Sequence, residues 1–139
     1  MKKTTTFILF TFFGLQLAHA QESPAMDSIT VEVSGLKKVA DSKLHVAMVN
    51  AEGKEIGNYT GTVSGITHQF KMPLNGERRI ALRMFQDVDG NGEMNRSAFG
   101  MPSEPFGFSN NPEINFGPPS LKEMLVDASA ETTLKIIMQ

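Results

Sequence analysis

Three carboxylates and two amides stand at alternate positions in one short run, Phe85 to Asn95 (FQDVDGNGEMN). Asp87, Asp89 and Asn91 take the first, third and fifth places of a calcium-loop pattern, and Gly92 falls at the sixth, where the chain must bend sharply. Glu93 would lend its backbone carbonyl at the seventh place, and Asn95 would act at the ninth, directly or through water. The twelfth place holds Ala98 instead of a bidentate glutamate, and a strand and a Pro-rich stretch flank the loop instead of helices, so an EF-hand is excluded. A carboxylate from farther along, Glu104 or Glu113, would complete an oxygen-rich set suited to Ca²⁺. With one ligand short, the expected affinity is on the order of 10⁻⁴ to 10⁻³ M, that of a structural staple and not a sensor. The same Asp-Gly-Asn-Gly run is equally good chemistry for a polar β-turn.

Other chemistries find less support. His45 and His68 fall in predicted strands, with no cysteine in the chain and no close carboxylate in sequence, which does not make a zinc set. The methionines are scattered without a Met-x-x-Met cluster, which suits core filling better than copper(I). No Gly-x-Ser-x-Gly elbow is present. No histidine or general base neighbours the acidic loop in sequence, so the chain reads as non-catalytic. A calcium-dependent hydrolase would have to use Asp87, Asp89 or Glu104 on their carboxylates alone.

The elements that must position this loop are strands. Ile29, Val31 and Val33 alternate within Ser28 to Val33, as do Leu44, Val46 and Met48 within Lys43 to Asn50. The second run also carries His45, Ala47 and Val49 on its other side, which predicts a central strand buried on both faces. Glu55 to Thr62 suits an edge strand. Gly65 to Met72 and Arg78 to Gln86 alternate again, with Asn75-Gly76 between them as a hairpin signal. Met124 to Asp127 and Thr132 to Met138 predict a last hairpin. The expected fold is all-β: an antiparallel β-sandwich of about seven strands, immunoglobulin-like or transthyretin-like, with one long ordered loop.

That loop is Asp87 to Pro119, which holds five glycines, five of the seven prolines, and Phe99, Phe106, Phe108 and Phe116. Four aromatics are too much apolar surface to leave in a disordered segment. The loop is therefore expected to fold its phenylalanines onto the sandwich, where they plug it or present a partner-binding surface.

The N-terminus places Lys2 and Lys3 before an apolar run, Phe7 to Leu17, followed by Ala18-His19-Ala20. This predicts a signal peptide over residues 1–20, cleaved before Gln21, a polar leader over 21–27 and a single domain over 28–139. The apolar run is shorter than the ~20 residues a membrane span needs. Export, to the periplasm or beyond the cell, is the expectation. Removing residues 1–20 takes two lysines and leaves a net charge of −4, which offers nucleic acid no basic footprint. An exported chain with no cysteine needs a full apolar core, a metal, or both.

Several fixed pieces carry a family likeness. Asp87 to Gly92 (DVDGNG), Phe99-Gly100-Met101-Pro102, Glu104, Phe106 to Asn110 (FGFSN) and Gly117 to Ser120 (GPPS) recur in that order and spacing. With the leader and the preceding strand, they resemble the uncharacterised exported bacterial family known as domain of unknown function 2141. Asn95 stands where that pattern tends to have Asp, and Leu121 where it tends to have an aromatic. The resemblance implies an exported β-sandwich and no reaction. The leading expectation is an exported non-catalytic sandwich with a calcium-stapled loop. The alternative is an envelope binding module whose phenylalanines meet a protein or peptide. A glycan is less suited, since the chain has no Trp and one Tyr for stacking on sugars.

Overall fold

The alternation of apolar and polar residues becomes two β-sheets facing one another in the computed structural model, which describes residues 28–139. The leader expected at 1–20 and the segment 21–27 lie outside the described residues. The strands are β1 Ser28–Ser34, β2 Lys43–Asn50, β3 Glu55–Thr62, β4 Thr67–Pro73, β5 Arg79–Asp87, β6 Phe106–Phe108, β7 Val126–Asp127 and β8 Thr133–Ile137, with one helical turn, α1 Leu121–Met124. One sheet runs β4-β1-β8; the other runs β3-β2-β5-β6, with β7 also paired to β5. The core lies between them. Ile29, Val31 and Val33 from β1 meet Leu44, Val46 and Met48 from β2, Ile80, Leu82 and Met84 from β5, and Leu134 and Ile136 from β8. Each apolar set uses one face of its strand, as a period of two requires.

Four local expectations are corrected. Asn75 and Gly76 do take positive φ, 52° and 84°, and Glu77 N–H closes the turn on the Leu74 carbonyl at 2.9 Å. Yet β4 pairs with β1 while β5 pairs with β2, so this turn carries the chain between sheets and makes no hairpin. Leu74 is buried at the corner, and the apolar core on both sides of it outweighs direct pairing.

The last two strands do not pair with each other either. β7 joins β5, and the Ala128 N–H donates to the Arg78 carbonyl at 2.7 Å, while β8 runs parallel to β1. Crossing to the other sheet lets Leu134, Ile136 and Met138 fill the core beside β1. The sandwich is thus antiparallel except for this one pair. Finally, the long loop contains a strand of its own, β6, and β2 is central and buried along one face, while on the other Val49 is buried and His45 and Ala47 are only partly covered.

Candidate functional site

Asp87 ends β5 on the face turned away from the core, and it is buried at 1 % exposure. Its Oδ1 accepts the Gly90 N–H at 2.7 Å and its Oδ2 the Gly92 N–H at 2.9 Å. Both glycines sit at φ near +80°, a region that side-chain-bearing residues rarely enter, which lets the chain curl back over the carboxylate. Burial pushes the Asp87 carboxyl up, but the N–H groups of Gly92 and Gly90 outweigh it and leave the carboxyl below its ordinary value. Asp89 is exposed. Its Oδ1 accepts the Asn91 N–H at 3.2 Å, and its Oδ2 accepts the Asn95 side-chain amide at 2.6 Å.

Glu104 closes the loop from the far side. It is 7 % exposed, and its two oxygens accept the Val88 N–H at 2.7 Å and the Asn95 N–H at 3.0 Å. One oxygen from each of Asp87, Asp89 and Glu104 lies within 4.8 Å of the other two. Of the two distant carboxylates considered from sequence, Glu104 joins the group and Glu113 stays outside it, exposed. Glu93 takes part through its backbone, donating its N–H to Asn91 Oδ1 at 2.8 Å, and its carboxylate is not in the cluster. Asn91 and Asn95 are joined by a 2.6 Å amide contact. No Lys or Arg among the described residues pairs with any of the three acids.

No histidine neighbours this loop in sequence, but the fold brings one to it in space. The antiparallel register sets Lys43 opposite Asp87, and His45 Nε2 comes within 3.6 Å of Asp87 Oδ2. That nitrogen is buried without a hydrogen bond, while Nδ1 lies 3.3 Å from Thr60 Oγ1 and the ring stacks on Phe85 at 5.0 Å. Forty-two residues separate His45 from Asp87 in sequence, so only strand pairing could have revealed the contact.

The outer face of the five-stranded sheet is the floor of a groove of about 1120 Å³. Strand register lays one row across it, Thr60, His45, Phe85 and Phe106, and a second row, Asn58, Ala47, Arg83 and Phe108. The long loop makes the walls. Its first arm is a small hairpin: Arg96 bridges Pro102, Ser103 N–H donates to the Asn95 carbonyl at 2.9 Å, and Arg96 Nη1 donates to the Gly100 carbonyl at 3.0 Å. Asn95 and Glu104, which root this hairpin, are also the residues that close the acidic loop. Phe99 stands at its tip, 94 % exposed, and Phe116 on the second arm is fully exposed. Phe106 and Phe108 lie half-buried on the sheet. The loop thus lays two of its four phenylalanines on the sandwich and holds two out over the groove.

The second arm is anchored by a run of polar residues. Ser109 Oγ accepts the Leu82 N–H at 2.8 Å and donates to the Met124 carbonyl. Asn110 donates to the Glu123 carbonyl at 2.8 Å, and Asn111 bridges β8 by donating to the Lys135 carbonyl and accepting from the Ile137 N–H, both at 2.8 Å.

Two packed sheets, a carboxylate-rich loop at one strand end and an apolar groove under the same loop define an all-β sandwich with a built surface site. The chain belongs to the family described as an uncharacterized protein conserved in bacteria (DUF2141), whose family model matches residues 31–135. No curated protein and no solved structure matches it. Among the described residues no helix is long and apolar enough to cross a membrane.

Proposed function

We propose that this protein is an exported, non-catalytic binding module in which Ca²⁺ at Asp87, Asp89 and Glu104 fixes the long loop over its groove. One observation carries the reading: the residues that gather the three carboxylates also root the hairpin that walls the groove. Three carboxylates this close, with no cationic partner from Lys or Arg, repel one another. Two bare charges at such a separation cost about 3 kcal/mol at an effective dielectric of ~20, before screening of the exposed Asp89. A hard divalent cation removes that cost, with the side-chain oxygens of Asn91 and Asn95 within the same loop.

Thermal melting with Ca²⁺ and then with chelator tests the reading. At tenfold excess over Kd, occupancy stabilises the fold by about 1.4 kcal/mol, which for a domain of this size raises Tm by roughly 5 °C. Asp89→Ala should abolish the calcium response and change the calcium-free Tm little, because Asp89 is exposed and losing its hydrogen bonds to Asn91 and Asn95 is offset by relief of charge repulsion. A calcium-indifferent wild-type melt would leave a polar turn in place of an ion site.

A hydrolytic reading has one observation on its side. Thr60 Oγ1 and the His45 ring lie on the groove floor 3.3 Å apart, and the buried Asp87 Oδ2 stands behind the ring at 3.6 Å. A hydroxyl, an imidazole and a carboxylate in that order can pass a proton. Under the leading proposal, wild type and Thr60→Val give the same background rate on an activated ester such as p-nitrophenyl acetate. A wild-type rate well above background that Thr60→Val removes would favour the enzyme.

A further inference from the structure

The groove's charge singles out a class of ligand. In a chain of net charge −2, its lining includes no aspartate or glutamate, and its two fully charged side chains, Arg83 and Arg96, are both cationic. Arg83 has only a 3.9 Å approach from the exposed Glu55, and Arg96 uses one nitrogen on the Gly100 carbonyl, so both keep donors to spare. Two acids contact floor residues: Glu55, beside Arg83, and Asp87, which faces His45. Between the cations the surface is aromatic and apolar: Phe85, Phe106 and Phe108 below, Phe99, Met101 and Phe116 above. Its volume lies just above the range of about 300–1,000 Å³ usual for small-ligand sites.

Resting on the binding-module reading, we propose that the groove takes a single-chain anionic amphiphile, with a carboxylate or phosphate head on Arg83 or Arg96 and an apolar body among the phenylalanines. A guanidinium offers planar paired donors that match such a head. Phe99 and Phe116, exposed in the free protein, lose that exposure when the chain lies beneath them.

Calorimetric titration of the purified protein with decanoate, decanol and decyltrimethylammonium, each micromolar and below micelle formation, tests this. Decanoate should bind saturably and at least tenfold more tightly than either counterpart. Arg83→Gln and Arg96→Gln should together weaken decanoate at least tenfold more than they weaken decanol and leave the calcium response of the melt in place. Equal affinity for all three, or preference for the cation, overturns the ligand class while the groove stands as a binding site. No saturable binding of any of them overturns both readings. Adsorption to phosphatidylglycerol vesicles without saturable decanoate binding overturns the inference in favour of a membrane surface.

Discussion

Asp87 and Gln86 are neighbours that turn opposite ways, and between them they tie the loop to the sandwich. Gln86 faces inward, fully buried, and every polar atom of its side chain is used: Nε2 donates to the Lys37 carbonyl at 2.7 Å and to Ser42 Oγ at 2.8 Å, and Oε1 accepts the Lys37 N–H at 2.8 Å. Gln86→Leu would keep the bulk and orphan the Lys37 N–H, while the Lys37 carbonyl keeps the Val39 N–H at 3.0 Å, so a loss of about 2 kcal/mol is expected in urea unfolding. Asp87 faces outward, with its carboxyl held below its ordinary value of 3.8. Because the folded value is depressed, its ionised form contributes stability that is fully present above about pH 3.8 and disappears as pH falls through the lower folded value. Asp87→Ala should therefore flatten the acid limb of a stability-against-pH curve below pH ~4. An unchanged limb would assign acid unfolding to other carboxylates.

At the scale of elements, β6 decides where the loop can lie. Phe-Gly-Phe sets two rings on the groove floor and one bare backbone position toward the core. A Cβ at Gly107 would stand 2.9 Å from Met138 Sδ and 3.0 Å from Ile136 Cγ2, closer than packed atoms allow. The strand is also bracketed by the chain end, with Phe106 and Gln139 exchanging two backbone hydrogen bonds at 3.2 and 2.8 Å. Gly107→Ala should cost about 1–3 kcal/mol as overpacking, read by thermal melting, and should loosen the groove floor before the core. Little change in Tm would mean that β8 yields to the added methyl. A period-two signal cannot be recognised over three residues, which is why β6 stays hidden within a stretch that reads as loop.

For the molecule as a whole, the parallel pairing of β8 with β1 is the long-range closure. It brings Leu134, Ile136 and Met138 into the core and completes the three-stranded sheet. Truncation after Thr132 should leave a chain without cooperative unfolding or dispersed amide resonances. A folded truncated protein would show that the core survives with β4 and β1 alone. Under the proposed function, Ca²⁺ would act at the same scale, since one segment serves both the acidic cluster and the groove wall.

The sequence by itself determined the strands that bury a face, because alternation forces apolar side chains to one side wherever β1, β2, β4 and β5 form. It also determined the oxygen-rich loop and its glycine bends, because Asp87, Asp89, Asn91 and Gly92 are local to one another in the chain. Tertiary structure alone decided the partners. Two strands flanking Asn75-Gly76 joined different sheets, β8 turned parallel to β1, Glu104 and not Glu113 reached the acids, and His45 came to Asp87 across a strand pair. Each of these outcomes follows from which surfaces bury together over long sequence separations, a property of the packed core that no local spacing encodes.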